Sequence, residues 1–200
     1  MNNLAFFYDF ETTGMVDWGM PSESEHQPHA VQVAAKLIDT DTKKCAAALN
    51  VIVQQGDWPM DPKALETHGI DREYANSVGF EESVVSRWML DLWRRSSIRI
   101  AHDESFDARM MRIGLKRYAD TEEYSYSDEW ASGSAFCTMR ATTDICCIPS
   151  PRGKGFKWPK LEEAYQHFFG KKLEGAHDAM VDVDACIEIY FAIKDQNLQK

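Results

Sequence analysis

The sequence predicts an α/β fold in which a mixed sheet is covered by helices. Three observations carry this prediction. The first quarter of the chain holds three β-type runs joined by short links. The remainder alternates helical periodicity with short extended runs. No low-complexity tract, internal repeat or long linker divides the 200 residues, so residues 1–200 are expected to form one domain.

Each element has its own warrant. "LAFFYDFE", 4–11, is a nearly continuous apolar run and predicts a strand meant for the interior. A polar loop with two prolines, "DWGMPSESEHQPH", separates it from "AVQVAAKLID", 30–39, where alternation and β-branched residues predict a second strand. "CAAALNVIVQ", 45–54, predicts a third, although its alanines weaken the preference. Links this short predict an antiparallel meander. In "DPKALETHGI", Asp61 can cap a helix that starts with Pro62. Residues 80–96 place Val84, Trp88 and Leu92, and also Val85 and Met89, at helical spacing. A short strand, "SIRIAH", and a helix, "DESFDARMMRIGLKRYA", come next. An acidic, serine-rich loop at 120–134 leads to "AFCTM", and "SPRGKGFKWPK" makes a loop that mixes basic and aromatic residues. Two helices close the chain, at 160–169 and about 178–194.

Composition narrows the function. A hydrophobic share of 44% and an aromatic share of 12% belong to a globular protein. No apolar stretch approaches the roughly 20 residues a membrane helix needs, and no secretory signal is evident, so no membrane partner is expected. The five cysteines, Cys45, Cys137, Cys146, Cys147 and Cys186, include no C-x-x-C pair and suit reduced thiols in the cytoplasm. With 32 acids against 22 bases the net charge is −10, which argues against coating nucleic acid by charge. Gripping an end of nucleic acid through metal ions remains compatible with it, because bound cations reverse the local field.

The acids are the informative residues. Asp9 and Glu11 lie two apart in a strand, so both side chains share a face while Phe10 lies opposite. Two carboxylates held together in an apolar run need a cation or a shared proton. Asp107 aligns with Met110, Met111 and Gly114 on the apolar stripe of its helix, and Arg109, Arg112 and Lys116 form the opposite, solvated face. Asp103 and Glu104 are already present to serve the helix dipole. In the last helix Asp182 aligns with Cys186, Ile189 and Ile193, whereas Asp184 aligns with Glu188 and Asp195. Spacing thus nominates Asp182 as inward and Asp184 as surface. Asp178 is the expected N-cap, and His177 stands just ahead of it, placed to serve as a base.

Together these places resemble the DEDDh, or DnaQ-like, 3′–5′ exonucleases, the family of polymerase proofreading subunits. "DFETTG" is similar to the first motif, with Asp9 and Glu11; "AHDESFDARMM" to the second, with Asp107; "HDAMVD" to the third, with His177 and Asp182. "THGI" at 67–70 and "KLEEAYQHFFG" at 160–170 resemble segments between the motifs, and the likeness runs from about residue 4 to 194. One departure is Asp103, where the family usually carries Asn after the histidine.

The resemblance implies an RNase H-like mixed five-stranded sheet, a three-stranded antiparallel meander plus parallel strands, flanked by helices. It implies two divalent ions, Mg²⁺ or Mn²⁺, held by Asp9, Glu11, Asp107 and Asp182, with His177 taking a proton from the attacking water. The products would be nucleoside 5′-monophosphates released from a 3′ end. Thr12, Thr13, Gly14, Met15 and His68 would approach the terminal nucleotide. Lys157 and Trp158 belong to the basic-aromatic loop, a composition that suits a single strand; Phe106 is expected in the core. DNA is favoured over RNA as the nucleic acid with a free 3′ end, and a DNA polymerase is admitted as a partner. Alternatives are an exoribonuclease of the same fold, a non-catalytic binding module and a structural metal protein. Oligomeric state stays open.

Overall fold

The structure, a computed structural model, describes residues 3–197. Five strands form one sheet: β1 (Leu4–Thr12), β2 (Ala30–Asp39), β3 (Cys45–Ile52), β4 (Ile98–Ala101) and β5 (Ala135–Cys137), in the order β3-β2-β1-β4-β5. The first three make the antiparallel meander, and β4 and β5 add in parallel. The mixed α/β sheet is therefore as the sequence predicts.

Strand β1, the most apolar of the set, occupies the centre, as a strand buried on both faces should. Its alternation divides the core. Phe6 and Tyr8 face the helices α3 (Glu82–Trp93) and α4 (Glu104–Tyr118), where they join Val85, Met89, Met111 and Leu115. Ala5 and Phe7 face the last helix, α8 (Ala179–Asn197), against Val183, Cys186 and Tyr190. Asp9 and Glu11 share the parity of Ala5 and Phe7 and so point to the α8 side. A bulge interrupts the β1–β2 register between Glu11 and Thr12, at the rim where β1 ends.

Two further helices lie between β3 and α3. Helix α1 (Pro62–His68) follows its predicted cap, with Asp61 accepting a hydrogen bond from the Lys63 N–H at 2.9 Å and Gly69 in the left-handed region. The second, α2 (Arg72–Val78), is absent from the sequence reading, because only Ala75 among its residues is buried and no apolar period marks it. Gly114 lets α3 and α4 approach closely, since a Cβ there would lie 2.6 Å from Ser86 Oγ.

Several expectations need correction. The segment 120–134 is not wholly loop: it contains α5 (Tyr126–Ser132), capped by Ser125 and anchored by the buried Trp130. Helix α6 (Thr138–Cys146) follows β5 directly, and α7 (Leu161–Phe169) packs on α8. In α3 only one of the two stripes is inside; Val85 and Met89 are buried, whereas Trp88 is 37% exposed and packs its edge on Phe80. The Arg109–Arg112–Lys116 face of α4 is partly covered rather than fully solvated. Asp103 makes no side-chain cap bond, and Glu104 is drawn into a buried ion pair with Arg99.

Candidate active site

The end of β1, the start of α4 and the start of α8 converge on a group of acids. Asp107, 3% exposed, and Asp182, 8% exposed, point inward from their helices. Glu11, His177 and Asp182 each present a ligand atom within 4.8 Å of the others. Asp9 belongs to the same electrostatic unit. Burial raises its pKa well above the usual carboxylate range, and Asp182, Glu11 and Asp178 add to the rise. Asp107 is raised in the same way, by burial first and then by Asp9 and Asp103. Burial and the charges of Asp182 and Asp178 push Glu11 up to about 8. Asp182 reaches about 6, because burial outweighs the hydrogen bond from His177. Among the described residues no lysine or arginine forms an ion pair with any of these four acids.

The local supports are specific. Asp178 Oδ1 accepts from the N–H groups of Met180 (2.9 Å) and Val181 (3.3 Å), which caps α8. The His177 N–H donates to Asp182 Oδ2 at 3.2 Å, while Asp182 Oδ1 is covered and has no hydrogen-bond partner. His177 itself has a φ of 70°, in the left-handed region, and its exposed ring puts Nε2 3.8 Å from Glu162 Oε1. Gln32, the register partner of Glu11 on β2, accepts from the Ala179 N–H at 3.3 Å and donates to Asn50 at 3.0 Å. Sequence reasoning passed over Gln32 and Glu162; a lone amide in the run "AVQVAAKLID" was the available signal.

This donor set fits a divalent cation. It is a concentration of carboxylate oxygens with one imidazole, it lacks a protein cation, and it contains a buried oxygen with nothing to accept from.

The other nominated residues are distributed as follows. Thr12 Oγ1 donates to the Gly14 carbonyl at 2.8 Å, and Thr13 Oγ1 accepts from the His29 N–H at 3.0 Å, so both hydroxyls shape the turn. Met15 is 75% exposed. A groove of about 530 Å³ opens beside Thr13, Gly14 and Met15, walled by His29, Trp58 and Met60. His68, half-buried, accepts from the Ile70 N–H at 3.0 Å; burial and the nearby His177 lower its pKa. Lys157 is spent on Glu163, its Nζ donating to both carboxylate oxygens at 2.6 and 2.8 Å. Trp158 is 60% exposed and carries the Arg140 guanidinium 5.6 Å from its ring centre. Phe106 packs partly buried against Val16, Met110 and Ile113. The loop holding Lys157 and Trp158 is tied to the start of α4 by His102, whose Nε2 donates to the Pro159 carbonyl at 3.0 Å while Nδ1 meets Thr138 Oγ1 at 2.9 Å.

Comparisons with known proteins bear on the fold and the family. The Escherichia coli exonuclease I complex with a dT13 oligonucleotide superposes with a TM-score of 0.77 at 19% identity, over 98% of this chain and 42% of that one. The complex with dA16 gives 0.76 at 19% identity over the same shares. A zinc-bound form of the E. coli exonuclease I complex with single-stranded DNA gives 0.75 at 20%, over 99% of this chain and 42% of that one. At these identities the likeness establishes the fold, and the chain spans about two-fifths of the solved chains it matches. No curated protein sequence matches. No helix among the described residues is long and apolar enough to cross a membrane. Residues 6–190 match the family model RNase_T, described as exonuclease, a family that needs divalent metals, and the chain therefore belongs to that DEDDh-type exonuclease family.

Proposed function

We propose that this chain is a 3′–5′ exonuclease domain, residues 1–200, that removes nucleoside 5′-monophosphates from single-stranded or frayed DNA ends. The observation that carries the reading is the set of four acids, Asp9, Glu11, Asp107 and Asp182, raised in pKa with no protein cation to pair them and with His177 at their edge. Two divalent ions, Mg²⁺ or Mn²⁺, bound by these four acids would neutralise them and stabilise the attacking and leaving oxygens of the phosphodiester.

The chain's own groups do the rest. The exposed His177 ring accepts a proton from the attacking water, and the Asp182 carboxylate fixes its backbone through the N–H bond. Gln32 and Asp178 hold the start of α8, so that His177 keeps its place relative to Glu11. The turn at Thr12–Met15 and the groove beside it receive the terminal nucleotide, with His68 at its margin. Trp158 offers an indole face to a base, whereas Lys157, paired with Glu163, contributes little free charge. DNA is favoured because the exonuclease I neighbours are complexes with deoxyoligonucleotides. A polymerase partner is compatible with a proofreading role, and unpaired cysteines suit the cytoplasm.

The test is incubation with 5′-labelled single-stranded DNA, 3′-recessed DNA and matched RNA, in Mg²⁺, Mn²⁺ or EDTA. A metal-dependent ladder that shortens from the 3′ end, lost in Asp9→Ala and His177→Ala, is expected. Shortening of RNA alone would replace this reading with an exoribonuclease, and binding without cleavage would replace it with a binding module.

A further inference from the structure

Helix α4 has a second face. Ser105, Arg109 and Arg112 recur at i, i+4 and i+7, so they line up along about 10 Å of helix, on the side away from Asp107. They form one wall of a groove of about 240 Å³ whose other wall carries Trp18 and Trp130. Trp18 is 59% exposed, an unusual amount for an indole with nothing resting on it. Arg99, at the floor, is fully engaged by Glu104 and by the carbonyls of Trp130 and Gly133. The other two arginines are not. Arg109 holds the Met20 carbonyl and Arg112 reaches Asp128 only at 3.6 Å, with 38% of its side chain exposed. At its Ser105 end the groove continues into the basic loop, for Arg140 donates to Ser105 Oγ at 3.0 Å and lies over Trp158.

We propose that this groove is a binding site for the upstream nucleotides of a single strand whose 3′ end lies at the carboxylates; the assignment rests on the function proposed above. Partly exposed guanidinium groups are suited to phosphate oxygens, and an exposed indole is suited to a base face, the two components of sequence-tolerant single-strand binding. Net charge sharpens the point. On a chain of charge −10, this wall carries Arg109 and Arg112, and Arg140 adjoins it through Ser105. The groove makes strand length matter to an enzyme that cuts only the last bond.

Binding is measured in EDTA with fluorescent oligo(dT) of about twelve and about three nucleotides, and kcat/KM is measured with Mg²⁺ on the same strands. Trp18→Ala is expected to raise Kd for the longer strand about tenfold and to affect the shorter one much less. Arg112→Gln should reduce the slope of log K against log salt by about 0.7 on the longer strand, and Arg112→Lys should restore it. Thermal melting of each variant separates these effects from misfolding. Equal losses on both lengths, or no loss on either, would overturn the groove. Wild-type protein that binds the longer strand in this length-dependent way but cleaves nothing would sink the nuclease reading and leave the groove standing. Wild-type protein that binds neither strand in EDTA and cleaves neither in Mg²⁺ would sink both.

Discussion

Glu82 and Asp182 are both buried acids, 7% and 8% exposed, yet their carboxylates are shifted in opposite directions. At Glu82, burial favours the neutral form but loses to the partners. His29 Nδ1 lies 2.7 Å from Oε2, the Ala30 N–H donates to Oε1 at 2.8 Å, and the Tyr118 hydroxyl donates to Oε2 at 2.9 Å. Its pKa falls. His29 is fixed in turn by stacking on Trp58, ring centres 3.7 Å apart. At Asp182 burial wins, one oxygen has no partner, and the nearest acids add to the rise. The difference teaches how to separate an acid that serves the fold from one that awaits a ligand. The first has its compensation inside the chain, and the second does not.

The largest effect should come from Asp9. Asp9→Asn is expected to slow release of 3′ nucleotides by at least about a hundredfold, since even outer-shell partners of metal ligands cost about that much. Its melting temperature in EDTA should stay level or rise, because a buried ionisable group has been replaced by a neutral amide. A variant that melts early and still cuts would place Asp9 with Glu82 among the structural acids. Glu82→Ala should do the reverse, costing about 3 kcal/mol in urea unfolding by stranding His29 and Tyr118, with the folded fraction still cleaving. A cost below about 1 kcal/mol would erase the contrast.

Titration without metal sharpens it further. Glu11 is raised from 4.5 to about 8 and Asp182 from 3.8 to about 6, so the folded state holds these protons more tightly than the unfolded one. Stability contributed this way is present at low pH and declines as pH rises from about 4 through about 8. Divalent ions bind the deprotonated form, so the rise in melting temperature on adding Mg²⁺ should be larger at pH 8 than at pH 5. A shift independent of pH would mean that the carboxylates do not hold the ion. The smallest change is Tyr118→Phe, which removes one of Glu82's donors and should cost about 1 kcal/mol by the same denaturation.

The sequence made the inward acids legible because each sits on an element with a clear period. Strand parity placed Asp9 with Glu11 opposite Phe10, and helical spacing separated the buried Asp182 from Asp184, which pairs with Lys36 on the surface. The meander was legible from three successive β-type runs, the second and third joined by a short link. What escaped was decided at long range. Glu82 is one of two adjacent acids at a helix start, and its partners His29 and Tyr118 lie 53 and 36 residues away. Helix α5 hides in a serine-rich, acidic stretch, and Trp130 is buried only because Phe6, Tyr8 and Trp93 meet it from other elements. Helix α2 is too short and too polar to announce itself by periodicity.

Helix α8 is the last element of the described residues, and it brings Asp182 to acids supplied from residue 9 onward. During synthesis the first strand is finished long before that helix exists. Any nascent or truncated chain that stops short of it has Asp9, Glu11 and Asp107 but neither Asp182 nor a covered α8 face on the sheet. Covering that face of the sheet and completing the group of acids are thus a single event.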